Sequence, residues 1–168
     1  MGQCFFCQGI QTVTANNPLL QSHDLPPFSQ IRAEHVLPAI EAILADNRKA
    51  IAEILEKQGK NPTWAGLVLA MDELNDRLGA AWSPVSHLNA VCNSAELRAA
   101  YEACLPKLSE YWTEMGQNKP LFEAYDALAK SPAAAGFDVA QKTILDHALR
   151  DFRLSGIDLP AEQQKRYG

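Results

Sequence analysis

Apolar side chains recur in this chain at spacings of three, four and seven from Val36 to Phe152, and no stretch alternates apolar with polar residues between two turn signals. A chain patterned this way buries its apolar residues along helix stripes and has no strand face to offer. The expected fold is therefore all-α, an antiparallel array of about six helices. The first stripe runs through Val36, Ile40, Ile43, Leu44, Ile51, Ile54 and Leu55 from a start near His35. Gln58-Gly59-Lys60-Asn61-Pro62 closes it, because glycine suits a helix C-terminus and proline lacks the N–H needed to continue. Thr63 is placed to cap a second helix carrying Trp64, Leu67, Val68, Met71, Leu74, Leu78 and Trp82. So short a connection predicts that the two helices pair antiparallel.

Proline and glycine set the remaining breaks. Ser83-Pro84 should interrupt the second helix and restart a short one with Val85, Leu88, Val91 and Cys92. Asn93, with Glu96 three residues on, has the form of a capping box. It would open a helix with Leu97, Tyr101, Cys104, Leu105, Leu108, Trp112 and Met115 on its face and a kink at Pro106. Gly116 and Asn118 mark a stop and restart, with Pro120 in the permitted first turn ahead of Leu121, Phe122, Tyr125 and Leu128. Ser131 to Gly136 reads as a loop. Asp138 with Gln141 then caps a last complete helix, with Ile144, Leu145, Ala148, Leu149 and Phe152 inward and Gly156 as its stop. A further helix opens at Leu159-Pro160 without a stop signal, so the expected helical domain, 17–168, is cut within its last helix.

Ahead of the helices, Asn17 to Ser29 holds three prolines and should run as an extended arm, with Leu19, Leu20, Leu25 and Phe28 laid on an apolar surface. Residues 1–16 show no periodicity and read as a flexible extension. The 168 residues, 47% hydrophobic and 21% charged, suit one globular domain. With 15 basic against 20 acidic side chains the net charge is −5, which opposes a nucleic-acid partner. No apolar run reaches the ~18 residues of a membrane span. The N-terminus lacks the basic flank and apolar core of an export signal, and Phe6 stands where a myristoylation signal on Gly2 wants Ser or Thr. The expected location is cytoplasmic.

Little in the chain points to chemistry. Cys4 and Cys7 form half of a zinc site with no second half, and a metal or redox role for the pair is a third-rank reading. Cys92 and Cys104 lie in amphipathic stretches and read as small, reduced, buried side chains. The histidines His23, His35, His87 and His147 include no pair three or four apart, the spacing that aims two imidazoles at one metal. Asp72, Glu73 and Asp76 read as the wet face of a helix, and Trp64, Trp82, Tyr101, Trp112 and Tyr125 as core. There is no glycine-rich phosphate loop and no nucleophile elbow. No catalytic, cofactor-binding or metal-ligating residue is expected, and no cofactor held by this chain.

Taken in order, several patches resemble the thimet-oligopeptidase family of zinc peptidases. They are the arm from Asn17-Pro18-Leu19-Leu20 to Leu25-Pro26-Pro27-Phe28, and Glu34-His35-Val36-Leu37-Pro38-Ala39-Ile40. Ser83-Pro84-Val85-Ser86-His87-Leu88-Asn89, Leu105-Pro106 with Leu108-Ser109-Glu110-Tyr111, Ala148-Leu149-Arg150-Asp151-Phe152 and the run from Leu159 to Gly168 follow. The resemblance spans about residues 17–168. It implies a helical enzyme enclosing a channel for short peptides, with zinc held by a His-Glu-x-x-His helix and a later glutamate in a C-terminal half. No match to that motif occurs here, so no residue inherits a ligand or acid–base role. The implied partners are the catalytic half and, in the whole enzyme, short peptides. Self-association through surface meant for the missing half is also expected. The rival expectation is a stand-alone helical module that holds a peptide or partner helix in a groove.

Overall fold

The computed structural model describes residues 16–58, 61–160 and 162–164, so the readings that fall on residues 1–15, Cys4 and Cys7 among them, lie outside it. The described residues hold no strand. They form α1 (Ala33–Gln58), α2 (a π-helical first turn, Trp64–Leu69, continuing as Ala70–Val91), α3 (Ala95–Gly116), α4 (Lys119–Ala129) and α5 (Val139–Leu154). Short 3-10 turns occupy Pro18–Leu20, Phe28–Gln30 and Pro132–Gly136, and residues 162–164 are again helical. This is the expected all-α array.

The chain divides into two compact units, the first containing residues up to Asn47 with Leu74–Lys107, the second Arg48–Glu73 with residues from Leu108 onward. In the first, Val36, Ile40 and Ile43 of α1 are fully buried, as are Val85 of α2 and Cys104 of α3. Each such aliphatic side chain contributes roughly 1.5–3 kcal/mol of burial. Within this unit α1 and α2 run antiparallel: Asn47 Nδ2 donates to the Leu74 carbonyl at 3.3 Å, and one residue earlier Asp46 accepts from Arg77 at 2.9 Å. Trp82 and Tyr101 stack with centroids 4.8 Å apart, joining α2 to α3, and Lys107 pairs with Glu41 at 2.9 Å.

The second unit is held by α4 packed on α5, where Phe122 and Tyr125 each lie 5.8 Å from the Phe152 ring. Arg48 sits over the Tyr111 ring at 5.5 Å while its Nε donates to Glu114 at 2.7 Å. The turn into α2 is closed by Gln58, whose Oε1 accepts from both the N–H and hydroxyl of Thr63, while the Thr63 hydroxyl accepts from Gly66 N–H as the expected cap. A Cβ on Gly66 would overlap the Gln58 amide. The capping box at Asp138 and Gln141 is complete, each side chain bonding the other's backbone. At the far end of α5, Gly156 adopts φ 84°. Ile157 N–H returns to the Phe152 carbonyl and Gly156 N–H to that of Arg153, the double closure that favours glycine.

Several expectations need correction. The arm is not extended throughout: Asn17 Oδ1 accepts from Leu19 N–H and folds Pro18–Leu20 into a turn. Of Leu19, Leu20, Leu25 and Phe28 only Leu19 is buried, beside Pro18, and Leu25 is 80% exposed. Pro84 does not break α2. Pro84 is buried, which favours keeping it in the helix, and Ala80, the residue whose carbonyl would have accepted the missing N–H, is exposed. The cap of α3 is Ser94, not Asn93, with Leu97 N–H donating to Ser94 Oγ at 3.1 Å. On α3 the buried positions are Leu97, Cys104, Leu108, Tyr111 and Met115, while Leu105 and Trp112 are 43% and 49% exposed. On α5, Ile144 faces out, and Cys92 is exposed rather than buried.

Candidate functional site

Three of the four histidines serve structure. Asn17 is fully buried and its Nδ2 donates to the His35 carbonyl at 2.7 Å, which ties the arm to the first turn of α1. His35 in turn accepts at Nδ1 from Arg32 N–H at 3.1 Å, which requires that nitrogen to be unprotonated. His23 Nε2 lies 3.1 Å from the Pro18 carbonyl and, facing a pure acceptor, must be the donor. His87 packs on Phe28 with centroids 5.5 Å apart, and His147 is an exposed residue of α5. The three histidines of the first unit thus fasten or brace the arm, each with a different partner.

Asp72, Glu73 and Asp76 are all exposed on α2, as a solvated helix face would be. Burial, and next the charge of Glu41, push the Cys104 thiol up to about 11 against the pull of Lys107, so it stays protonated and is a poor nucleophile. Burial and then Asp72 raise the Tyr125 hydroxyl to about 12. Glu96 is held below the usual carboxylate range by its backbone N–H and by Ser94, in keeping with an acid at a helix start. No group of three or more His, Cys, Asp or Glu side chains placed to hold one metal ion occurs among the described residues.

A concavity lies among the described residues of the first unit. In the first unit the arm crosses one face of α2 and encloses about 580 Å³, the size of a small-molecule site. Pro18, Leu19, Leu20, Pro26 and Pro27 form one wall, and Ala80, Ser83 and Pro84 the other. Asp24, Asp76 and Arg77 bring charge to the rim, beside His23. Sequence reasoning placed the arm on an apolar surface but not this pocket, because its opposite wall comes from residues more than fifty positions away. The available signal was Pro84, a proline inside an otherwise regular helical stripe.

The family described as "Neurolysin/Thimet oligopeptidase, N-terminal domain" matches residues 40–164. The chain is 51% identical over 156 residues to oligopeptidase A of Haemophilus influenzae, covering 93% of this chain and 23% of that protein. To oligopeptidase A of Escherichia coli it is 51% identical over 152 residues, covering 90% and 22%. An organellar oligopeptidase A of Arabidopsis thaliana is 36% identical over 153 residues, covering 91% and 19%. The chain thus spans about a fifth of the length of these relatives. By the family match and the aligned length alike, this chain belongs to the neurolysin/thimet oligopeptidase family and corresponds to its N-terminal domain.

Proposed function

We propose that the chain is the helical wall of a peptide channel in a cytoplasmic oligopeptidase, residues 17–168 forming its N-terminal domain, and that it does not hydrolyse peptides by itself. The observation that carries this reading is the 51% identity to oligopeptidase A across 93% of this chain but only 23% of the relative. Zinc is the metal expected of the whole enzyme, where it would polarise the scissile carbonyl and activate water. The donor set present here does not fit it. The histidines of the first unit are committed to Pro18, Arg32 and Phe28, and among the described residues no group of three or more His, Cys, Asp or Glu side chains is placed to hold a metal. In this reading the ligands belong to the remaining four-fifths of such a protein, and the domain acts by shape, lending packed helices to an enclosure.

The coding sequence downstream of Gly168 tests the reading. A continuing frame of several hundred codons that contains a His-Glu-x-x-His motif supports it. A stop codon directly after Gly168 contradicts it and favours a stand-alone helical binding module.

A further inference from the structure

We propose that Gln117 and Gln164 form a latch that holds the helical residues 162–164 against the ends of α3 and α5, and that opens locally without unfolding those helices. Where the polypeptide runs on, as the peptidase reading has it, the latch sets the direction in which the chain leaves this domain. The latch itself lies within the second unit and is tested on this chain, so its failure leaves that reading untouched.

The carbonyls left over after α5 decide its form. The turn at Gly156 satisfies the carbonyls of Phe152 and Arg153, while those of Ser155 and Ile157 receive no backbone N–H among the described residues. Gly156 and Ile157 are buried, where an unpaired backbone carbonyl is costly. Gln164 Nε2 donates to the carbonyls of Gly156 and Ile157 at 3.2 and 3.1 Å. Gln117 Nε2 donates to those of Ser155 and Gln164, each at 3.4 Å. All four partners are pure acceptors, which turns the nitrogen of each carboxamide toward them. Gln164 is thus both fastener and fastened. Gln117 follows directly on α3, whose last residue, Gly116, has no Cβ to collide with Ser155.

The source of the attachment makes it a latch and not a piece of core. Asp158, Pro160, Glu162 and Gln163 are exposed and Leu159 is half-buried, so little apolar surface is covered beyond Ile157. Polar bonds carry the attachment, and each neutral hydrogen bond contributes little net stability. Those from Gln117 are long and therefore weak. A segment held in this way opens at a fraction of the free energy of global unfolding. The ion pair of Arg153 with Asp158, 4.0 Å apart, joins two exposed side chains and adds little.

Amide hydrogen exchange on the 15N-labelled chain tests the proposal, read at Leu159 and Gln163, whose N–H groups donate to the carbonyls of Gly156 and Pro160. Both amides should be protected in the unaltered chain. Gln164→Leu, which removes the two shorter bonds, should speed exchange at both by about tenfold, and Gln117→Leu by about threefold. Tyr125 in the middle of α4 should keep its rate in both variants, which shows that the fold is intact. Asp158→Asn should change nothing, and protection should survive about 1 M NaCl, since carboxamides carry no charge to screen. Exchange at Gln163 in the unaltered chain as fast as in an unstructured peptide would overturn the proposal. So would unchanged rates in Gln164→Leu, an acceleration shared equally by Tyr125, or protection abolished by salt or by Asp158→Asn.

Discussion

Two residues carry consequences out of proportion to their size. Gly116, the last residue of α3, lies against Ser155 at the end of α5, and a Cβ there would come within 2.6 Å of both Ser155 Cβ and Oγ. The Cβ of Ser155 is fixed to backbone and has no rotamer by which to withdraw. Gly116→Ala should therefore destabilise the chain by about 1–3 kcal/mol, read as a lower urea midpoint. An unchanged midpoint would show that the two helix ends are not in contact. Cys104 makes a pH prediction. Its folded-state value of about 11 lies above the ordinary 9.0, so the folded chain keeps a proton that the unfolded chain releases. The associated stability is fully present below pH 9 and is lost as pH rises toward 11, with a slope of about 1.4 kcal/mol per pH unit within that window. Tyr125, raised from 10.0 to about 12, extends the loss upward. Cys104→Ala should flatten the dependence between pH 9 and 11 in urea melts, and an identical slope in the variant would refute this assignment.

At the scale of elements, sequence was most legible where a local hydrogen bond decides the outcome. Thr63, Asn118, Asp138 and Gly156 each perform the cap or stop expected of them, because a side chain of the right reach, or a backbone free to take φ 84°, acts within three or four residues. Position 94 shows the limit. Asn93 and Ser94 both offer an acceptor oxygen, and the choice falls to Ser94 because α3 begins at Ala95 and buries Leu97, a register set by packing. The alanine pair separates them: Ser94→Ala should cost about 1 kcal/mol and Asn93→Ala much less, measured by thermal unfolding. The reverse order would return the cap to Asn93. The same one-residue ambiguity exchanged Tyr111 for Trp112 in the core of α3. Adjacent aromatics both lie near the stripe: Tyr111 stands three and four residues from Leu108 and Met115, and Trp112 four and three, so helical spacing fits either and tertiary packing buries Tyr111. Pro84 misled for a different reason: proline removes one bond, but its burial offsets that loss, and the unpaired carbonyl belongs to the exposed Ala80.

For the whole molecule, fold class and family were legible because helical periodicity and ordered sequence patches both run the length of the chain. The cavity was not, since it is made by residues distant in sequence. Apolar side chains left in water, Leu25 and Phe28 on the arm and Val139 and Leu154 on α5, predict self-association. Light scattering should show the apparent mass rising with concentration, and a constant monomer mass at high concentration would exclude it. The central claim is that these helices are the wall of a peptidase and hold none of its reaction centre. It is tested most directly by incubating the purified chain with short fluorogenic peptides, with and without added zinc, over a long time course. No cleavage above the protein-free control is predicted under either condition. Zinc-dependent cleavage abolished by a chelator, and co-eluting with the monodisperse chain, would contradict it.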